Sequence, residues 1–159
     1  MLTVMSSDKN PLTQAEFDAI YAKVPRLSVE VIIRNSNNEV YLTKRDYATG
    51  ITAACTGQWH LPGGTVRFAE PLITTVRRIA HKELGIEVEA ALNTGYIEYP
   101  SHYNHGMDSP VGIVFEATKY TGEPTPKSDS KSGGWFSKLP PDMHADQDVF
   151  LIQNKYVVA

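Results

Sequence analysis

Apolar positions recur along the chain at two different periods, and the change of period marks out the elements. "TQAE" puts Glu16 three residues after Thr13, the spacing of a capping box. Phe17, Ile20, Tyr21 and Val24 then share one helical face, and Pro25 closes it. "RLSVEVIIRN" and "EVYLTKR" are rich in β-branched and aromatic residues and lie either side of the polar turn "NSNN". This pattern predicts a β-hairpin. "DYATGITAACTGQ" reads as a functional loop of small residues, "WHLP" as a short strand, and Gly63-Gly64 as a tight turn leading towards a helix. Pro71 to Leu84 is the clearest helix, with proline in its first turn and Gly85 just past its end. "EVEAALNTGYIEY" is a strand or a bent pair, "PSHYNHGMDSP" a polar loop, and "VGIVFEATKY" a strand. After a Pro/Ser/Gly loop come the extended segment "WFSKL" and a final helix within "DMHADQDVFLIQNKYV". Strands that alternate with helices, two of them hairpin-linked, predict an α/β fold with a mixed sheet.

Length and charge narrow the class. The 159 residues suggest one domain, 1–159, with residues up to about 25 as a helical extension. A hydrophobic fraction of 42% is enough for a core without covalent staples. A net charge of −3 argues against a nucleic-acid partner, which needs a basic footprint, but not against a small phosphorylated ligand. The single cysteine, Cys55, excludes an intrachain disulfide, fits a reducing compartment, and reads as a packing residue. No run is long and apolar enough for a bilayer, so no membrane partner is expected. The N-terminus has no basic start followed by an apolar block, so the expected location is cytoplasmic.

One acid breaks the pattern of the central helix. At about 100° per residue, Leu72, Ile73, Val76, Ile79, Ala80 and Leu84 fill one arc, and Glu83 falls inside it. A buried carboxylate needs a partner: an arginine, a cluster of backbone donors, or a cation. Helix geometry alone favours a structural salt bridge. "LPGG" between a strand and a helix adds a second indication, because glycines let the backbone approach a phosphate closely.

Counted from Gly64, the chain gives G-x5-E at Glu70, x7-R at Arg78, then Glu83 and x-G-I at Gly85 and Ile86. This frame resembles the Nudix box, G-x5-E-x7-R-E-U-x-E-E-x-G-U. The resemblance implies an α/β/α sandwich around a mixed β-sheet. It also implies a hydrolase of a nucleoside diphosphate linked to another group, working with Mg²⁺ or Mn²⁺. In the family three acids line the box helix; here those positions hold Ile79, Lys82 and Glu83. One helix carboxylate plus substrate oxygens suits a single ion rather than a cluster. The string "RIAHKELG" is similar to that of the GDP-mannose mannosyl hydrolase branch, which also keeps only the last acid. By that likeness the substrate is a nucleotide sugar, Gly63 and Glu83 hold the metal, and Glu30 and Arg45 lie at sugar-nucleotide positions. The branch's Gln-His pair is absent from the late loop "KSDSKSGGW", where Asp129 is the nearest candidate ligand. Lys82 would add positive charge for phosphate, and Arg45 a guanidinium fork. His102 and His105, near Asp108 in "SHYNHGMD", are the candidates for proton transfer. Glu70 and Arg78 are expected to pair, and with Gly64 and Gly85 to support the site. His60 and His81 are expected to face solvent. The alternative reading is a nucleotide-binding module of the same fold that has lost catalysis. Nudix proteins are often dimers, so the resemblance allows a homodimer, while the sequence itself does not fix the oligomeric state.

Overall fold

The computed structural model describes residues 11–46, 50–127 and 130–159, the side chain of residue 52 excepted. The elements in chain order are α1 Gln14–Tyr21, β1 Arg26–Ile32, β2 Val40–Lys44, β3 Trp59–His60, β4 Gly63–Thr65 and α2 Leu72–Ile79. They continue with β5 Glu87–Glu98, α3 Pro100–Tyr103, β6 Pro110–Thr121, β7 Ser132–Phe136 and α4 Ala145–Gln153. One sheet has the order β4-β1-β6-β5 and a second the order β3-β2-β7. β1 is parallel to β6 and antiparallel to β4, so the larger sheet is mixed.

β1 explains the layering. Its residues from Ser28 to Ile32 are all buried, the near-continuous run of a strand covered on both faces. Val29, Val31 and Ile33 pack with Val76, Ile79 and Leu84, which puts α2 on one face. Ile32 packs with Leu42, Leu61, Val114, Phe150 and Leu151, which puts α4 on the other. Helices therefore cover mixed β structure on both sides, the α/β/α arrangement. Among the described residues, no helix is long and apolar enough to cross a membrane.

Several local expectations hold and several change. Thr13 caps α1, with its hydroxyl and the Glu16 carboxylate bonding reciprocally to each other's backbone amides. The hairpin expected around "NSNN" is barely a hairpin. β1 and β2 join only at the Arg34–Val40 bridge and then diverge into different sheets. Gly63 and Gly64 do not form a turn. They are strand residues of β4, paired with Glu30 and Val29. The small-residue loop contains a 3-10 helix over Gly50–Cys55, and the polar loop contains α3. β5 is one strand with several register shifts.

The central helix departs most usefully from its ideal. It is α-helical only as far as Ile79, and Ala80–Leu84 is a π-helical turn closed by Gly85 at φ 68°. A wider turn advances less than 100° per residue, so the α-helical wheel misplaces Glu83. Ala80 and Leu84 stay buried, while Glu83 moves to the rim of the core and borders a cavity.

Candidate functional site

A cavity of about 660 Å³ opens where β1, β4, α2 and the ends of the loops converge. Its lining includes Glu30, Arg45, Gly63, Gly64, Lys82 and Glu83, as well as Arg78 and His102. Eight of the positions singled out from sequence thus meet in one space. Glu70 and Gly85 lie behind it, and His105 lies outside it. Asp129 falls outside the described residues.

Glu83 is held at the centre by the π turn. Burial and the nearby Glu30 push its carboxyl up, against Arg45, Lys82 and a hydrogen bond with the Gly63 backbone, to about 7. Glu30 is buried on β1, and its Oε1 accepts from Tyr99 (2.9 Å) and Ser28 (3.2 Å). Burial raises its pKa as well. Gly63 is needed between them, because a Cβ there would lie 1.9 Å from the Glu30 Oε2. Two carboxyl groups are therefore kept from ionising freely at one spot, although Arg45 and Lys82 draw Glu83 back and Arg26 draws Glu30 back. A hard divalent cation answers that imbalance. Glu83 and the Gly63 backbone carbonyl could supply its oxygen ligands, with Glu30 beside them.

Glu70 and Arg78 brace this arrangement from behind. Arg78 Nε and one terminal nitrogen donate to the two oxygens of Glu70 at 2.7 and 2.9 Å, and a further bond reaches the Thr65 carbonyl. Glu70 also accepts from Thr75 (2.8 Å) and from the Arg67 amide (3.0 Å). Burial works against the charged form, but Arg78 and these donors outweigh it and hold the carboxyl at about 2. The loop after β4 is thereby tied to α2.

A second group of titratable residues lines the same cavity. His102, on α3, shares a 2.7 Å hydrogen bond with Asp108 through Nδ1 and a 2.9 Å bond with His144 through Nε2. Cys55 Sγ lies 3.6 Å from that Nε2. Arg26 anchors Asp108 at 2.6 Å. Burial pushes the His102 imidazole down, but Asp108 and Cys55 outweigh it and raise it to about 9. Burial pushes the Cys55 thiol up, but His102 and His144 outweigh that and lower it to about 6. Cys55 is thus buried, as a packing residue would be, but in contact with an imidazole rather than with apolar side chains alone. His144, which caps α4, was not singled out from sequence; a lone histidine ahead of "ADQ" carries no pattern that points into a site.

Two other histidines sit apart. His60 does not face solvent. It is buried, with Nδ1 2.7 Å from the Leu61 carbonyl, and burial lowers it to about 3. Its partner across β2 is Thr43, so a small polar residue makes an inward-facing histidine tolerable. His81 is exposed and pairs with Glu87 at 2.5 Å. His105, also exposed, is 2.7 Å from the Ser101 carbonyl.

Comparisons with known proteins bear on the family and the fold. A family model described as NUDIX domain matches residues 24–152. A curated relative, the low-salt glycan biosynthesis protein Agl8 of Haloferax volcanii, is 35% identical over 107 residues, 65% of each chain. The match thus spans just under two thirds of that relative's length. Among solved structures, the MutT NUDIX hydrolase from Burkholderia pseudomallei is 30% identical, with a TM-score of 0.67, over 79% of this chain and 95% of that one. A MutT protein from Methanosarcina mazei Go1 shares the fold at 23% identity and a TM-score of 0.65, over 84% of this chain and 97% of that one.

Proposed function

The chain belongs to the NUDIX domain family, and from that premise we propose that it hydrolyses a nucleotide sugar with the help of one divalent cation, Mg²⁺ or Mn²⁺. The observation that carries this reading is the Glu83 carboxyl, enclosed beside Glu30 and Gly63 and facing the cations Arg45 and Lys82 across one cavity. When bound, the ion would neutralise phosphate charge and activate water. The chain's own residues do the rest. Glu83 in its ionised form, with the Gly63 backbone, would hold the cation. Arg45 would clasp the diphosphate through its guanidinium fork. Lys82 would add charge at the helix face where the family carries an acid. Ile79, at another of those acid positions, is 2% exposed and belongs to the core, so the helix offers one carboxylate and room for one ion. His105 lies outside the cavity, and His102 is committed through Nε2 to His144 and Cys55. Neither is assigned the base in this reading. The sugar half of the substrate is suggested by the glycan-biosynthesis relative.

Purified protein incubated with Mg²⁺ or Mn²⁺ and a panel of nucleotide sugars, dinucleotides and nucleoside triphosphates tests the proposal. Turnover is expected on a nucleotide sugar and is lost in Glu83→Gln. Equal product from wild type and variant overturns it. A second reading rests on Lys82, an exposed cation where the family places a metal-binding acid. In that reading the chain binds nucleotide without cleaving it. Calorimetry separates the two, because binding by such a module survives EDTA.

A further inference from the structure

Cys55, His102 and His144 are each about 5% exposed, and their ligand atoms all lie within 4.8 Å of one another. They come from three separate segments: the 3-10 helix, α3 and the residue that caps α4. A thiolate and two imidazoles make a soft donor set, unlike the oxygen donors around Glu83. We propose that these three residues form a second metal site, for Zn²⁺, separate from the hard-cation site at Glu83.

The distances fit. Zn–N bonds of about 2.0–2.1 Å and Zn–S bonds of about 2.3 Å, at a tetrahedral angle, put N···N at about 3.3 Å and S···N at about 3.6 Å. The Cys55 sulfur to His102 Nε2 distance is 3.6 Å. The His102 to His144 distance of 2.9 Å is that of a hydrogen bond, and must open by about 0.4 Å when the shared proton gives way to the ion. His102 is already oriented for the task. Asp108 accepts a hydrogen bond from its Nδ1–H, which turns Nε2 towards the other two ligands, and the proton on Nε2 is displaced when the ion binds. Carboxylates commonly stand in this way behind metal-bound histidines, and Arg26 fixes this one. All three residues line the cavity, so a fourth ligand, a water or a substrate oxygen, comes from there.

Besides the His102 proton, one contact of His144 opposes binding. The Asp146 amide donates to His144 Nδ1 at 3.3 Å, a contact that ends when Nε2 takes the metal and Nδ1 carries the ring proton. Zinc therefore costs His144 only that long, weak hydrogen bond. Coordination of zinc by a thiolate and two imidazoles far outweighs the loss of one such contact.

Cobalt(II) is the probe, added to the chelator-treated full chain in excess Mg²⁺, which occupies the hard site. The expected result is one equivalent of Co²⁺ with a thiolate-to-metal charge-transfer band in the near ultraviolet and the strong visible bands of a four-coordinate ion. Zn²⁺ should bleach both. Cys55→Ser should remove the charge-transfer band, His144→Ala should abolish stoichiometric binding, and Glu83→Gln should leave the spectrum intact. Cys55 is the sole cysteine, so its alkylation rate reads the site in unmutated protein, and Zn²⁺ should suppress it. A cobalt spectrum lacking the sulfur band, or alkylation indifferent to Zn²⁺, overturns the proposal and leaves a hydrogen-bonded thiolate cluster only. Because Glu83 takes no part, failure here does not touch the hydrolase reading, and loss of turnover in Glu83→Gln does not touch this one.

Discussion

Glu83 is a carboxyl group whose ionised form the metal-free fold resists. Its pKa rises from 4.5 to about 7, first through burial, with Glu30 adding to it. The folded chain therefore binds more protons than the unfolded chain between those two values, and stability falls as pH rises through that interval. The full effect is on the order of 3 kcal/mol. In EDTA the melting temperature of the wild type should drop between pH 4.5 and about 7, and Glu83→Gln should flatten that slope. Added Mg²⁺ at neutral pH should restore the wild type and leave the variant unmoved. A slope that persists in the variant would show that another group is responsible. Phe68 is the contrasting residue. It is 96% exposed at the cavity rim, where no packing explains it. An apolar ring there can stack on a base. Phe68→Ala should raise KM for the nucleotide sugar several-fold and change unfolding free energy by no more than about 0.5 kcal/mol. An unchanged KM would remove Phe68 from the site.

The box works as one element made of β4, a loop and a helix that changes type, and Glu70 and Arg78 hold it in shape. Arg78→Ala would leave the Glu70 carboxylate buried without its guanidinium, a loss of about 3 kcal/mol. Glu70 has its pKa depressed to about 2, so its contribution is present at neutral pH and disappears as pH falls from 4.5 to about 2. Arg78→Ala should therefore unfold in acid at a higher pH than wild type, as circular dichroism along a pH titration would show. Much of this element was legible from sequence. Glycine, Glu, Arg, Glu and Gly stand at fixed intervals, and local spacing is what a sequence records. Two parts were not. The π turn costs one irregular hydrogen-bond step, and "IAHKEL" reads equally well as α-helix. The pairing of Gly63 and Gly64 with β1 depends on a strand more than thirty residues away, so the glycine pair looked like a turn. The Arg34–Val40 junction misled in the same way. Its turn chemistry is local and correct, but which sheet β2 enters is decided by β7, near the far end of the chain.

At the scale of the whole molecule, one cavity joins a local constellation to a non-local one. Glu83, Gly63 and Lys82 are near neighbours in sequence, whereas Cys55 and His102 are 47 residues apart and His144 lies 42 beyond. Nothing in periodicity or spacing ties those three together; only the return of α4 against α3 does. The keystone is Arg26. Its Nε holds Asp108, its Nη1 donates to Thr65 on β4 at 3.0 Å, and its guanidinium lies 5.4 Å from the Phe17 ring on α1. α1 buries no residue of its own, yet Phe17, Ile20 and Tyr21 wall the cavity, so this contact helps set where the wall stands. Asp108 faces Arg26 on one side and His102 on the other, and its side chain is wholly buried. Removing it leaves two cations confronting each other in low dielectric. Asp108→Ala should cost about 3 kcal/mol or more in urea unfolding. It should also act on His102 in a defined direction. His102 titrates at about 9 against an ordinary 6.5, so in the metal-free chain its protonation stabilises the fold below pH 6.5, and that benefit is lost as pH rises through about 9. Without Asp108, burial is the leading influence left and the imidazole should titrate well below 9, as a proton NMR titration of the ring resonance would record. A His102 signal that still titrates near 9 would mean that Cys55, not Asp108, holds the charge in place.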